Sequence, residues 1–249
     1  MEKLKILIPT DFSVQAEFAY LMAKKLEEKT IVDIHFLHVL DVPDTVTIDE
    51  KGNVQTCGEI DIQYITQQKE IAEKQLENLK TIYGKSIHCH VVLGKVTDSI
   101  VQFAESHSFD LVVMGTKGAW GMKEKLSGSE TQMIARKSKV PLLSLMCDRS
   151  ELHIQNIVLV HNFNRPVQEN LELLHKLISA FHPTIHLLQI TSEKVESEKI
   201  RIEENMKKFA ELNNITSYAC HIIDDKDVEN GVVHFNQMSN MDIVCIGTH

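Results

Sequence analysis

Three short stretches of this chain carry side chains suited to chemistry. Residues 5–11, Lys-Ile-Leu-Ile-Pro-Thr-Asp, lead an apolar run into Pro9, Thr10 and the carboxylate of Asp11. Residues 110–129 lead a second apolar run into Met114 and Gly115, followed by Lys117, Gly118 and then Gly128-Ser129, a spacing of G-x2-G-x9-G-S. Gly115 and Gly118 permit tight turns and close approach of backbone to a ligand. Gly128-Ser129 reads as the opening of a helix, whose free N–H groups and positive dipole end favour a phosphate, with the serine hydroxyl as one more donor. The third stretch is His88-Cys89-His90, in what reads as a strand. Alternation there puts both imidazoles on one face and the thiol on the other. Two such histidines can share a zinc ion, but the sequence offers no third ligand in view, and ordinary strand residues are the preferred reading.

These residues are positioned by short, continuous runs of Val, Ile and Leu, the pattern of strands buried on both faces of a parallel sheet. Helical patterns lie between them. Val14, Phe18, Met22 and Leu26 recur every four residues after Ser13, a good N-cap residue. Ile62, Ile65, Ala72, Leu76 and Leu79 share a stripe on a longer helix, and another helix begins after Thr97 and Asp98. The alternation implies right-handed crossovers and a doubly wound sheet covered on both sides. Ligands of such sheets bind beyond the carboxyl ends of the strands, which is where Asp11, Val39 and Gly115 are expected.

The chain also repeats itself. Residues 5–12 align with 156–163, 34–39 with 185–190, 86–92 with 217–223 and 110–116 with 242–248, in the same order. The reading is two tandem doubly wound, Rossmann-like parallel-sheet domains, 1–149 and 150–249, the second lacking its last helix and strand. Asn162 stands where the first copy has Asp11, and no glycine loop follows Gly247, so the second copy is not expected to bind a nucleotide in the same way. Residues 41–60, with Pro43, Gly52, Asn53 and Gly58, have little counterpart in the second copy and read as an inserted loop.

Composition narrows the function class. The net charge of −9 argues against binding to nucleic acid or an anionic membrane surface, both of which call for a basic face. No run approaches the roughly 18 apolar residues of a membrane span, and the N-terminus has no signal-peptide pattern. Five scattered cysteines suit a reducing compartment and buried thiols rather than a disulfide framework. The expected location is the cytoplasm. No nucleophile elbow, P-loop, H-E-x-x-H or carboxylate pair is present, so the chain reads as a binding protein rather than an enzyme.

The combination of I-x-P-x-D at the first strand with G-x2-G-x9-G-S after the fourth resembles the universal stress protein family, in its ATP-binding branch, as a tandem pair with an incomplete second copy. The resemblance implies an adenine nucleotide, ATP with or without Mg, in the first copy. It places Pro9, Thr10 and Asp11 beside adenine and ribose and Val39 along the adenine pocket. Met114 and Gly115 would meet ribose and base, with Lys117, Gly118, Gly128, Ser129 and Thr131 around the phosphates. Glu130 departs from the family pattern, which has a small or apolar residue there. Ser129 and Gln132 also fit a capping box, a reason for the helix start that needs no phosphate. A nucleotide-responsive regulatory protein of the stress response is the leading reading. A non-nucleotide interaction module of the same fold and a slow ATP hydrolase remain open beside it. The apolar strand Val140–Met146 has no equivalent in the second copy, and an exposed edge of this kind invites pairing, so a homodimer through it is expected.

Overall fold

In the computed structural model, which describes residues 3–43, 45–48, 54–56, 62–116, 127–191 and 196–247, the apolar runs form parallel strands. The chain divides into two units, Met1–Glu151 and Leu152–His249. In the first, β1 (Lys3–Pro9) leads through α1 (Val14–Glu27) to β2 (Ile31–Asp41). A hairpin of β3 (Val46–Ile48) and β4 (Val54–Thr56) follows, then α2 (Ile62–Tyr83), β5 (His88–Gly94), α3 (Val96–Ser106), β6 (Leu111–Gly115), α4 (Ser127–Lys137) and β7 (Leu142–Leu145). The main sheet is parallel throughout, ordered β5-β2-β1-β6-β7. The chain order therefore reverses between β1 and β6, and this is the switch point at which such sheets take ligands.

The second unit repeats the plan with β8 (Asn156–Val160), α5 (Glu172–Phe181), β9 (Thr184–Thr191), α6 (Glu196–Leu212), β10 (Tyr218–Asp224), α7 (Val228–Ser239) and β11 (Ile243–Ile246). Its sheet is ordered β10-β9-β8-β11, four parallel strands where the first unit has five. Both sheets are thus doubly wound α/β layers, as the alternation of strand and helix patterns implies.

Each core is mainly aliphatic and lies along the strands. Leu7, Leu37, Ile100, Ala104, Phe109, Val112 and Ile134 cluster on one face of the first sheet, with Val39 and Met114 packed against them. Val158, Val160, Leu188 and Phe235 form a matching cluster in the second. Local expectations fail in four places. The segment 41–60, read as an inserted loop, contains the β3–β4 hairpin, in register Val46↔Thr56 to Ile48↔Val54. Its strands are only three residues each, too short for alternation to register. The α1 stripe is shifted: Val14 is exposed, and Ala16, Ala19, Tyr20, Met22, Ala23 and Leu26 are buried, because small residues let this helix lie close on the sheet. α4 begins at Ser127, two residues before the expected N-cap, so Ser129 lies inside the first turn rather than capping it. Cys147 is exposed, although the thiols were expected to be buried.

Candidate functional site

The turn after β1 is built from its own side chains. Thr10 extends the strand ladder by one bond, its amide donating to the Leu37 carbonyl at 2.9 Å. The Phe12 amide donates to Thr10 Oγ1 and the Ser13 amide to Asp11 Oδ1, each at 3.0 Å. Asp11 thereby closes an Asx turn, the local bond that favours this residue type at such a corner. Phe12 sits at φ 63°, a left-handed conformation costing a bulky residue about 1–2 kcal/mol. Its ring lies 4.6 Å from that of His38, whose Nδ1 is 2.8 Å from the Thr10 carbonyl oxygen. Phe12 and His38 therefore hold Asp11 in place. Sequence inspection missed both, and the only signal for His38 was its position beside Val39. Ser13 occupies the N-cap of α1 but makes no side-chain cap bond.

Asp11 is exposed, and among the described residues its Oδ2 has no partner. Pro9 is half-buried and Thr10 buried. Val39 lies two residues inside β2 rather than at its end, with its side chain against the core. Met114 is half-buried against the same cluster, at the end of the strand adjoining β1. A shallow pocket opens beside the turn, lined by Thr10, Phe12, Ser13, Val14, Glu17, Phe36, Leu79 and Tyr83 among others. It takes in Thr10 but none of Asp11, Val39, Met114 or Gly115.

Gly115 has a packing role of its own. A Cβ built there would lie 1.7 Å from the Gln15 carbonyl oxygen, so α1 passes directly over this position. The close backbone approach that glycine permits is made here to a helix. One residue on, Thr116 donates its amide to the Leu145 carbonyl at 2.7 Å and ties the end of β6 to β7. Lys117 and Gly118 lie outside the described residues. Because α4 connects two parallel strands, it runs antiparallel to them, and its first turn, Ser127 to Glu130, lies at the carboxyl edge of the sheet. Ile134 is fully buried and anchors the helix. Glu130 is exposed and Thr131 half-buried. The carboxyl edge of the first sheet thus gathers the Pro9–Asp11 turn, Met114–Gly115 and the start of α4. Electrostatically that edge combines a carboxylate with the free amides of a helix start.

The second unit repeats the turn without the charge. The Asn164 amide donates to Asn162 Oδ1 at 3.1 Å, as Ser13 does to Asp11. Gln189, equivalent to His38, accepts the Phe163 amide at 3.0 Å. His161 Nε2 lies 2.8 Å from Glu169 Oε1 and its ring stacks on Phe209, so it is held within its own unit; His249 lies outside the described residues. In β5, Cys89 turns toward α2, its thiol 3.6 Å from the Leu76 carbonyl and pushed up by burial, and the imidazoles of His88 and His90 face the other way.

Comparison with known proteins agrees with this architecture. Residues 4–145 match the universal stress protein family. Universal stress protein MJ0577 of Methanocaldococcus jannaschii is 30% identical over 149 residues, covering 56% of this chain and 92% of that protein. Universal stress protein MJ0531 of the same organism is 27% identical over 147 residues, covering 59% of this chain and 84% of that protein. The crystal structure of a universal stress protein from Archaeoglobus fulgidus superposes with a TM-score of 0.69 at 19% identity, covering 98% of this chain and 88% of that one, and so shares the fold of both units. With a family match spanning more than half its length, this chain belongs to the universal stress protein family.

Proposed function

We propose that the first domain, residues 1–149 as read from the sequence, binds an adenine nucleotide, ATP with or without Mg, and that the chain is a nucleotide-responsive regulatory protein of the stress response. The observation that carries this reading is the exposed Asp11, held by Phe12 and His38 at the switch point with its Oδ2 unpartnered among the described residues. A ribose hydroxyl is a fitting donor to that oxygen. Pro9, Thr10, Val39, Met114 and Gly115 would border the nucleoside. Lys117, Gly118, Gly128, Ser129 and Thr131 would border the phosphates, at a helix start suited to anions. Glu130 is exposed, the orientation that leaves the first turn open to a phosphate. The second domain, residues 150–249, carries Asn162 in place of Asp11 and would not bind nucleotide in this manner.

We place the protein in the cytoplasm as a homodimer joined through β7, the outer strand of its sheet. Among the described residues no helix is long and apolar enough to cross a membrane. Calorimetric titration of the purified chain with ATP, alone and with Mg, tests the central proposal. Saturable binding that weakens in Asp11→Asn is expected. No detectable binding at millimolar nucleotide, with the variant indistinguishable from wild type, would overturn it.

One observation favours a second reading, a non-nucleotide interaction module. Gly115 is accounted for by the α1 contact without any ligand. On that reading ATP leaves the thermal midpoint unmoved, whereas a bound ligand raises it by mass action.

A further inference from the structure

The two units share a half-buried histidine pair, and its surroundings differ between them. In the second unit His186 Nδ1 lies 2.9 Å from His221 Nε2, and His186 Nε2 lies 3.1 Å from Asn156 Oδ1. Every nitrogen of His186 therefore has a partner. In the first unit the equivalent pair is His35 and His90, again with Nδ1 to Nε2 at 2.9 Å. The residue equivalent to Asn156 is Lys5, whose side chain cannot accept a hydrogen bond and whose ammonium donates to the His107 carbonyl at 2.7 Å. His35 Nε2 is accordingly a buried atom without a well-aligned hydrogen bond among the described residues, and its neighbour is the Asp33 carboxylate, Oδ1 lying at 3.3 Å.

That nitrogen lies with two further ligand-capable atoms that the second unit lacks. Asp33 Oδ1 is 3.3 Å from His35 Nε2 and 3.4 Å from His88 Nε2. The three atoms all lie within 4.8 Å of one another. The equivalents of Asp33 and His88 in the second unit are Thr184 and Ala219, so both ligand-capable side chains are particular to the first copy. Tetrahedral ligands about 2.0–2.1 Å from a zinc-sized ion lie about 3.3–3.4 Å apart, which is the spacing of both carboxylate–imidazole pairs. Lys3 holds the other carboxylate oxygen, Oδ2, at 2.7 Å and leaves Oδ1 toward the imidazoles. His35 Nδ1 lies 2.9 Å from His90 Nε2, and in the tautomer in which Nδ1 donates to His90 the His35 Nε2 lone pair is left for a metal, with His90 as an outer partner. The His35 and His88 rings lie face to face at 4.4 Å, and His88, with 56% of its side chain exposed, has the rotamer freedom to swing Nε2 into line.

We propose that Asp33 Oδ1, His35 Nε2 and His88 Nε2 form a site for one divalent transition-metal ion of the zinc type, its fourth position open to water. The site lies near the amino ends of β2 and β5, away from the carboxyl edge where the nucleotide is proposed, and does not depend on that proposal. It would tie edge strand β5 to β2.

The test is titration of the full, metal-stripped chain with Co2+, whose visible absorption reports coordination, followed by displacement with Zn2+. One equivalent of Co2+ with bands of nitrogen and oxygen ligation, displaced by Zn2+, is expected. His88→Ala and Asp33→Asn should each weaken binding at least tenfold, and His90→Gln, which alters only the outer partner, by about 10–100-fold. His88 is on the surface, so His88→Ala should fold as wild type and decides the matter if Asp33→Asn does not. The double variant of the other pair, His186→Gln with His221→Gln, should bind normally. Absence of saturable uptake, binding unaltered by His88→Ala, or sulfur-to-cobalt charge-transfer bands would overturn the proposal.

Discussion

Asp11 serves the turn through Oδ1 and, in the proposed function, the ligand through Oδ2, and one substitution separates the two roles. Asp11→Asn keeps an oxygen for the Ser13 amide, as Asn162 does for Asn164 in the second unit, and converts the other oxygen into a donor. The expected outcome is an unchanged thermal midpoint with ATP affinity lower by about tenfold or more, since a hydrogen bond to a charged group is worth about 1.5–3 kcal/mol. Differential scanning calorimetry beside the ATP titration reads both. Gly115→Ala behaves oppositely. Its Cβ would meet the Gln15 carbonyl, a backbone atom with little room to yield. A loss of about 1–3 kcal/mol or more is expected in urea unfolding, whether or not nucleotide is present.

At the level of elements, β7 and the helix starts carry the consequences. β7 pairs with β6 on one side only within its sheet, and Ser144 and Met146 are exposed. Placing a lysine on such an edge is a recognised way to block pairing. Ser144→Lys with Met146→Lys should therefore convert a homodimer into a monomer in light scattering without shifting the far-UV spectrum. A wild-type chain that is already monomeric at tens of micromolar would remove the dimer. The histidine pair between β9 and β10 makes an acid-sensitive element. Burial lowers the pKa of His186, and burial followed by the neighbouring imidazole lowers that of His221. A histidine depressed in the folded state binds fewer protons there than in the unfolded chain. Its stabilising contribution is complete above the unfolded value of about 6.5 and is lost as pH falls below it toward the depressed value. The second unit should thus unfold at lower urea as pH goes from 7 to 5, and His186→Gln with His221→Gln should flatten that dependence.

For the molecule as a whole, the duplication separates what the fold requires from what the first copy adds. Both units keep the parallel sheet, the Asx turn after the first strand and the histidine pair. Only the first has Asp11, a described helix and strand after its fourth long strand, and the Asp33–His88 acceptor set. A ligand that binds the folded state at 100 times its Kd adds about 2.7 kcal/mol of stability. If ATP binds as proposed, hydrogen exchange should slow within residues 3–116 and 127–145 and remain unchanged in the second unit. Protection spread equally over both would contradict a site confined to one.

Read alone, the sequence determined the class of fold and the edge of the sheet at which Asp11 and Gly115 lie. Long Val/Ile/Leu runs, each bounded by turn residues, have few alternatives to buried parallel strands. It did not disclose the β3–β4 hairpin, whose three-residue strands carry no readable period. Nor did it disclose that Ala16, Ala19 and Ala23, rather than Val14, face the sheet, because a helix that lies close is selected for small residues and not for hydrophobicity. The role of Gly115 against Gln15 depends on a crossing of α1 over β6 that no local pattern records. His88 and His90 stood out as a pair without a third ligand, since Asp33 and His35 lie more than 50 residues earlier. Only the lateral pairing of β2 with β5, His35↔His88, brings the four side chains onto one face. Periodicity is a property of neighbours along the chain, whereas a site assembled across strands is decided by register, which exists only once the sheet has formed.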